Sequence, residues 1–206
     1  STSQIKPVFW TGPSVRFIKY DYSNWKEITS QDKITDQVII TRANEMGIFN
    51  YVTDTIYNST DNGPEGTEWA EGKISDGDIL EKNFMSWKDI MKQRHNNVIS
   101  NVERDRNMVL HLIEENIYID IKFEKWTSKG KGGGFSYIRS TPLNIEDLDG
   151  DGVADSEDNC ENTPEGQIAL INGCLLIESD FDQDGIFDHI DECPNSIDPQ
   201  NVDEKG

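Results

Sequence analysis

Five aspartates fall at positions one, three, five, nine and twelve of the stretch Asp147-Leu-Asp-Gly-Asp-Gly-Val-Ala-Asp-Ser-Glu-Asp158, with Gly152 at position six and Val153 at seven. Carboxylates at this spacing converge when the backbone turns sharply, and a glycine at position six permits the turn. Five like charges so close together repel one another unless a hard cation sits between them. Oxygen ligands in this pattern, with a backbone carbonyl at Val153 able to face inward, suit calcium better than magnesium, which keeps several of its waters. The expected ligands of a first ion are therefore Asp147, Asp149, Asp151, Val153, Asp155 and Asp158.

The pattern returns 33 residues later as Asp180-Phe-Asp-Gln-Asp-Gly-Ile-Phe-Asp-His-Ile-Asp191, and Cys160 is matched by Cys193. A second ion is expected on Asp180, Asp182, Asp184, Ile186, Asp188 and Asp191, which makes two calcium ions the minimum. A helix-loop-helix calcium hand would need amphipathic helices on both sides. Instead Pro142 lies upstream and Asn162-Thr-Pro-Glu-Gly166 downstream, all turn formers, so the loops are strung along an irregular chain.

Residues 144 to 206 resemble the thrombospondin type 3 repeat, through Asp-x-Asp-x-Asp-Gly-x-x-Asp-x-x-Asp-x-Cys followed by Asn-Thr-Pro-x-Gly and Gly-Cys. The resemblance implies an extracellular, calcium-wrapped rod with little regular secondary structure, its neighbouring turns tied by disulfides. Glu161 and the run Ile197-Asp198-Pro199 depart from the pattern, but neither touches a ligand position. Cys160 and Cys174 are 14 residues apart and bracket one repeat, which reads as a local disulfide formed in an oxidising compartment. Cys193 is left odd, and the 33-residue period projects Gly173 onto Gly206, so a partner cysteine is expected at the next residue of the natural chain. Zinc is the competing reading for clustered cysteines, but the close pairs that zinc needs are missing.

The elements that must carry these loops lie upstream. Residues 141–206 hold 19 acidic residues and one basic, whereas the first 140 hold 20 and 18, so nearly all of the net charge of −20 sits in the last third. Charge of that sign disfavours nucleic acid and anionic membrane as partners and favours cations. No stretch is long and apolar enough for a membrane helix. The division expected is a β domain over residues 1–142 and a calcium-binding module over 143–206.

Strands are expected at Val15–Tyr22, Gln37–Arg42, Met46–Thr53 and Phe135–Arg139, where β-branched and aromatic residues concentrate, and residues 58–66 read as a loop of turn formers before Thr67-Glu-Trp-Ala70. Ser23 to Asp36 is polar and reads as loop. A short helix is expected between Ile79 and Arg106, where Phe84, Trp87, Ile90 and Met91 recur at helical spacing. Asn107 to Trp126 alternates as a hairpin. A two-residue turn at Glu115-Asn116 sets Leu112 opposite Ile119, Leu110 opposite Ile121 and Met108 opposite Phe123, with His111 facing Asp120 on the other side. Without a strand-helix-strand rhythm, the fold class expected is mainly β: an antiparallel sandwich of jelly-roll type, followed by the irregular calcium-wrapped module. Segments such as Asp32-Lys-Ile-Thr-Asp36, Gly66-Thr-Glu-Trp-Ala70 and Gly133-Gly-Phe-Ser-Tyr137 are similar to an uncharacterised β domain of secreted bacterial proteins, which implies secretion and a sandwich but no activity.

His111 beside Asp120 is the most enzyme-like pair, because a carboxylate can set the imidazole tautomer. No nucleophile motif accompanies it, and a cross-strand polar pair is the favoured reading. His95 and His189 read as ordinary exposed histidines. Glu68, Glu114 and Glu115 have no partner that sequence places at catalytic distance. Aromatic faces stack on sugar rings, so exposed tryptophans would form a glycan platform. Trp87 and Trp126 are the candidates for that role, and Trp69 is assigned to the core. The function expected is a secreted or cell-surface, non-catalytic calcium-binding protein, with a recognition or adhesion domain for an extracellular glycan or surface protein on a calcium-stiffened spacer. The alternative is an extracellular polysaccharide-active enzyme with the repeats as its linker.

Overall fold

The computed structural model describes residues 5–57, 63–92, 105–128, 130–178, 180, 184–188 and 191. Within them the chain forms the mainly β, antiparallel sandwich expected from its alternating segments, with layers of unequal size. The strands are β1 (Val8–Trp10), β2 (Ser14–Lys19), β3 (Asp32–Lys33), β4 (Ile39–Arg42), β5 (Ile48–Asn50), β6 (Thr67–Glu71), β7 (Met108–Leu112), β8 (Ile117–Trp126) and β9 (Phe135–Ser140). One sheet runs in the order β2-β9-β8-β7-β6, with β1 added in parallel to the start of β8, and β3-β4-β5 form a second. The single α-helix among the described residues, α1 (Trp87–Lys92), falls inside the stretch whose spacing predicts one.

Apolar residues from both sheets meet in one core that contains Phe17, Ile40, Ile48, Trp69, Leu110, Ile119, Phe123 and Tyr137. The long hairpin supplies much of it, in a register that corrects the expected one. A four-residue turn, Ile113 to Asn116, joins β7 to β8, so Leu112 pairs with Ile117, Leu110 with Ile119 and Met108 with Ile121. Asn116 makes the longer turn possible by adopting φ +52°, a conformation that asparagine tolerates better than most residues. The shift is two residues, one full strand period, so every side chain keeps its face. Met108, Leu110, Leu112, Ile119, Ile121 and Phe123 are all buried as expected, but Val109 now faces Asp120, and His111 faces Tyr118.

The polar run before β4, whose composition predicts a loop, contains the strand β3. Asp32, on β3, is 1% exposed and points between the sheets. It accepts two hydrogen bonds from the Arg139 guanidinium, at 2.7 and 2.8 Å, and one from the Tyr137 hydroxyl at 2.7 Å. Both donors stand on β9, so this cluster fastens the small sheet to the large one. Burial disfavours the Arg139 charge, but the Asp32 carboxylate more than offsets that and holds the guanidinium above its ordinary pKa. Asp32→Ala would leave a buried, unpaired guanidinium and is expected to destabilise the fold by about 3–5 kcal/mol in urea unfolding, while Asp32→Leu combined with Arg139→Met restores most of the loss. A loss under about 1 kcal/mol for the single change would show that the pair does not join the sheets.

Candidate metal centre

The acidic segment leaves β9 at Thr141 and turns directly into the first loop. Three of its predicted ligands, Asp147, Asp149 and Asp151, converge, with one carboxylate oxygen from each within 4.8 Å of the others. Backbone amides hold the turn in shape. Asp147 accepts from Gly150 at 2.8 Å and from Gly152 at 2.9 Å, and Asp151 accepts from Val153 at 2.8 Å. Gly152 takes φ +97°, the conformation for which a glycine was expected there. Asp149 reaches further, accepting from the Thr163 amide at 2.6 Å, while the Thr163 hydroxyl donates to the Gly173 carbonyl at 2.7 Å.

The carboxylates of Asp155 and Asp158 are not in that convergent group. Asp155 accepts from the Leu148 amide at 2.8 Å, and Asp158 from the Cys160 amide at 2.7 Å. Val153 is buried, 5% exposed, with its side chain along the cleft that separates the loop from the sandwich.

The second loop repeats the first bond for bond where it is described. Asp180 accepts from Gly185 at 3.0 Å and Asp184 from Ile186 at 2.8 Å, matching Asp147 with Gly152 and Asp151 with Val153. Gly185 takes φ +94°. The Asp191 amide donates to the Phe187 carbonyl at 3.0 Å, as the Asp158 amide does to Ala154 at 2.9 Å. Asp188 has a buried carboxylate oxygen. Asp182, His189 and Cys193 lie outside the described residues.

The donor set fits a hard cation. Every converging atom is a carboxylate oxygen, and Oδ2 of Asp151 and Oδ1 of Asp180 are buried with no hydrogen-bond donor reaching them. A buried, undonated carboxylate oxygen is costly unless a cation satisfies it. Burial raises the Asp151 carboxyl to a pKa of about 6; the Val153 amide partly opposes this, and the charges of Asp149, Asp158 and Asp147 add to it. The disulfide Cys160–Cys174 is formed, with Cα atoms 5.0 Å apart, and it closes the strip of chain that holds Thr163 against the loop.

The aromatic and histidine candidates are placed differently from their expectations. Trp87 is 3% exposed, because α1 turns it inward against Trp69 and Phe123, with ring centroids 4.9 and 5.2 Å away. Trp126 is half-buried. A bulge between Phe123 and Lys125 inserts Glu124 and rotates Trp126 to the core side, where it packs on Phe135 with the Arg42 guanidinium 3.7 Å above its ring. Trp87 presents no face to solvent, and Arg42 covers one face of Trp126.

His111 is separated from Asp120, whose carboxylate accepts from the Ile74 amide at 2.8 Å. The imidazole instead stacks on Tyr118 at 4.1 Å, with Nδ1 2.6 Å from Glu68 and Nε2 3.0 Å from Asn116 Oδ1. Sequence missed the Glu68 partnership because it depends on β6 lying beside β7 across a separation of 43 residues. The spacing of the two segments carries no signal of it.

The geometry defines an acidic, disulfide-tied loop module whose converging carboxylate oxygens could hold a divalent cation. Residues 146–167 and 173–201 match the family model of the thrombospondin type 3 repeat. Comparisons with curated proteins and with solved structures give no match.

A cation bound through Asp151 would have to displace the proton that its carboxyl retains below about pH 6. The contribution of this proton to the metal-free folded loop is full below the unfolded aspartate pKa near 3.9 and is lost as the pH rises to about 6, above which the carboxylate is free for metal. Calcium affinity measured by titration calorimetry is expected to be level above pH 7 and to fall by up to about tenfold per pH unit below 6. Equal affinities at pH 5 and pH 7 would contradict this assignment.

Proposed function

We propose that this is a secreted or cell-surface, non-catalytic calcium-binding protein, in which a β-sandwich recognition domain is presented by repeats that take their shape around calcium. The observation that carries the reading is the convergence of Asp147, Asp149 and Asp151 with a buried, undonated oxygen on Asp151, inside a segment that matches a calcium-binding repeat family. The disulfide is in keeping with an oxidising, extracellular setting. Calcium there is millimolar, so even weak sites fill, and occupancy about a hundredfold over Kd stabilises the folded loops by ~3 kcal/mol.

Recognition, of an extracellular glycan or a surface protein, is assigned to the cleft of about 790 Å3 between the sandwich and the first loop. Ile28, Lys33 and Asp36 stand on its sandwich side and Glu157, Asn159 and Asn172 on its repeat side, a mixture of polar groups and exposed apolar surface suited to binding. Asp32 also borders the cleft, but its carboxylate is held by Arg139 and Tyr137, which argues against its use as a general acid or base. The polysaccharide-active alternative requires a free pair of carboxylates facing each other at catalytic distance, and the neutralised Asp32 weakens it.

Chelation with EDTA is expected to make residues 143–206 rapidly cleavable by protease, and added calcium to restore resistance. Equal cleavage with and without calcium would refute the structural role. A glycan array probed in calcium is expected to give binding that Lys33→Ala and Asn159→Ala reduce at least tenfold. Binding that neither variant alters would move recognition away from the cleft.

A further inference from the structure

The first repeat does not leave the sandwich as a free spacer. Its returning strip runs along β2, which is the open edge of the six-stranded sheet. The Arg16 amide donates to the Ala169 carbonyl at 2.7 Å, and the Ile171 amide donates to the Arg16 carbonyl at 3.0 Å, so Leu170 is paired in parallel with Arg16. Ala169 and Leu170 are 0% and 1% exposed, and Ile171 packs against the main core cluster.

The loop itself makes a second contact. A side chain at Gly152 would begin 3.0 Å from the Thr141 hydroxyl, 3.1 Å from the Pro13 carbonyl and 3.2 Å from Val15, so the turn lies directly on the sandwich. Thr141 is fixed in the same place, its hydroxyl donating to Pro13 at 2.7 Å and its carbonyl accepting from Gly12 at 2.8 Å.

These two contacts are wired to the ligands. Asp151 and Gly152 are consecutive, so the shape of the turn around the carboxylates sets the contact with Val15. Asp149 holds Thr163, Thr163 holds Gly173, and the Cys174 carbonyl accepts from the Leu170 amide at 2.8 Å. A path of single hydrogen bonds therefore leads from a predicted ligand to the residue paired with β2.

We infer that the first calcium loop is a structural part of the sandwich, closing its β2 edge, so that calcium held at this loop is coupled to the folding of the β domain. The inference rests on the calcium reading above and goes beyond it, because a spacer stiffened by calcium would leave the domain it carries unaffected. The partner of the coupling is the free divalent ion, and the element that senses it is the strip Ala169–Ile171.

All five tryptophans, at 10, 25, 69, 87 and 126, lie in the sandwich, so intrinsic fluorescence reports on that domain and not on the repeats. In the full chain, thermal unfolding followed by this signal is expected to shift upward by roughly 5–10 °C between EDTA and calcium about a hundredfold over Kd. Asp149→Asn keeps an acceptor for the Thr163 amide but loses a charge from the ion site, and it is expected to lose most of the shift. Asp184→Asn, in the second loop, is expected to keep it.

The inference is overturned if the tryptophan transition does not respond to calcium, or if the shift disappears with Asp184→Asn and survives Asp149→Asn. Protease resistance of the repeats, measured on the same samples, separates the two readings. A calcium-dependent tail beside an unresponsive tryptophan transition defeats the coupling alone. No response in either defeats the calcium reading as well.

Discussion

Repulsion among closely spaced carboxylates is the constraint that everything after Thr141 answers to. A segment with 19 acidic residues and one basic cannot build a core large enough to offset that repulsion, and among its described residues the regular structure amounts to one short helical turn, Leu176–Glu178. The contacts that outline its shape are local. Aspartate side chains accept their own loop's amides, glycines with positive φ make the turns, and a disulfide closes the strip between Cys160 and Cys174. These bonds bring the charged oxygens together without neutralising them, and a bound cation would supply the missing attraction.

The sandwich meets a different difficulty. A sheet with open edges offers unpaired backbone groups to other chains. Here both edges of the large sheet are covered by single bridges from outside the regular strands. Met85 exchanges two backbone hydrogen bonds with Trp69 on β6, at 2.8 and 3.0 Å, and Leu170 pairs alongside Arg16 on β2. One cover comes from the excursion that leads into α1, and the other comes from the calcium repeat. The two parts of the chain thus meet at an edge that the sandwich alone would leave exposed.

Much of this was legible in the sequence, for reasons that differ by region. The repeats are a short-range code in which ligands, turn glycine and cysteines all lie within the 28 residues from Asp147 to Cys174, so spacing alone located the convergent Asp147, Asp149 and Asp151 and the Cys160–Cys174 pair. Alternation in 107–126 fixed which side chains face the core. It could not fix the pairing, because a slip of two residues preserves the faces, and the choice fell to Asn116 and its left-handed turn. Asp32 was invisible for the opposite reason: a short strand in a polar run gives no periodic signal, and its importance comes from Tyr137 and Arg139 more than a hundred residues away. Trp87 and Trp126 were misplaced because helix orientation and a single-residue bulge, neither of which composition reveals, decide which way those rings point.

The central claim is that the first repeat acquires its form, and its place on β2, from calcium. Hydrogen–deuterium exchange at the amides of Arg16, Gly152, Val153 and Ile171 tests it most directly. The account predicts strong protection at all four in calcium and rapid exchange at all four in EDTA. Protection that is the same in both conditions would contradict it, because the strip would then hold the sheet edge without the ion.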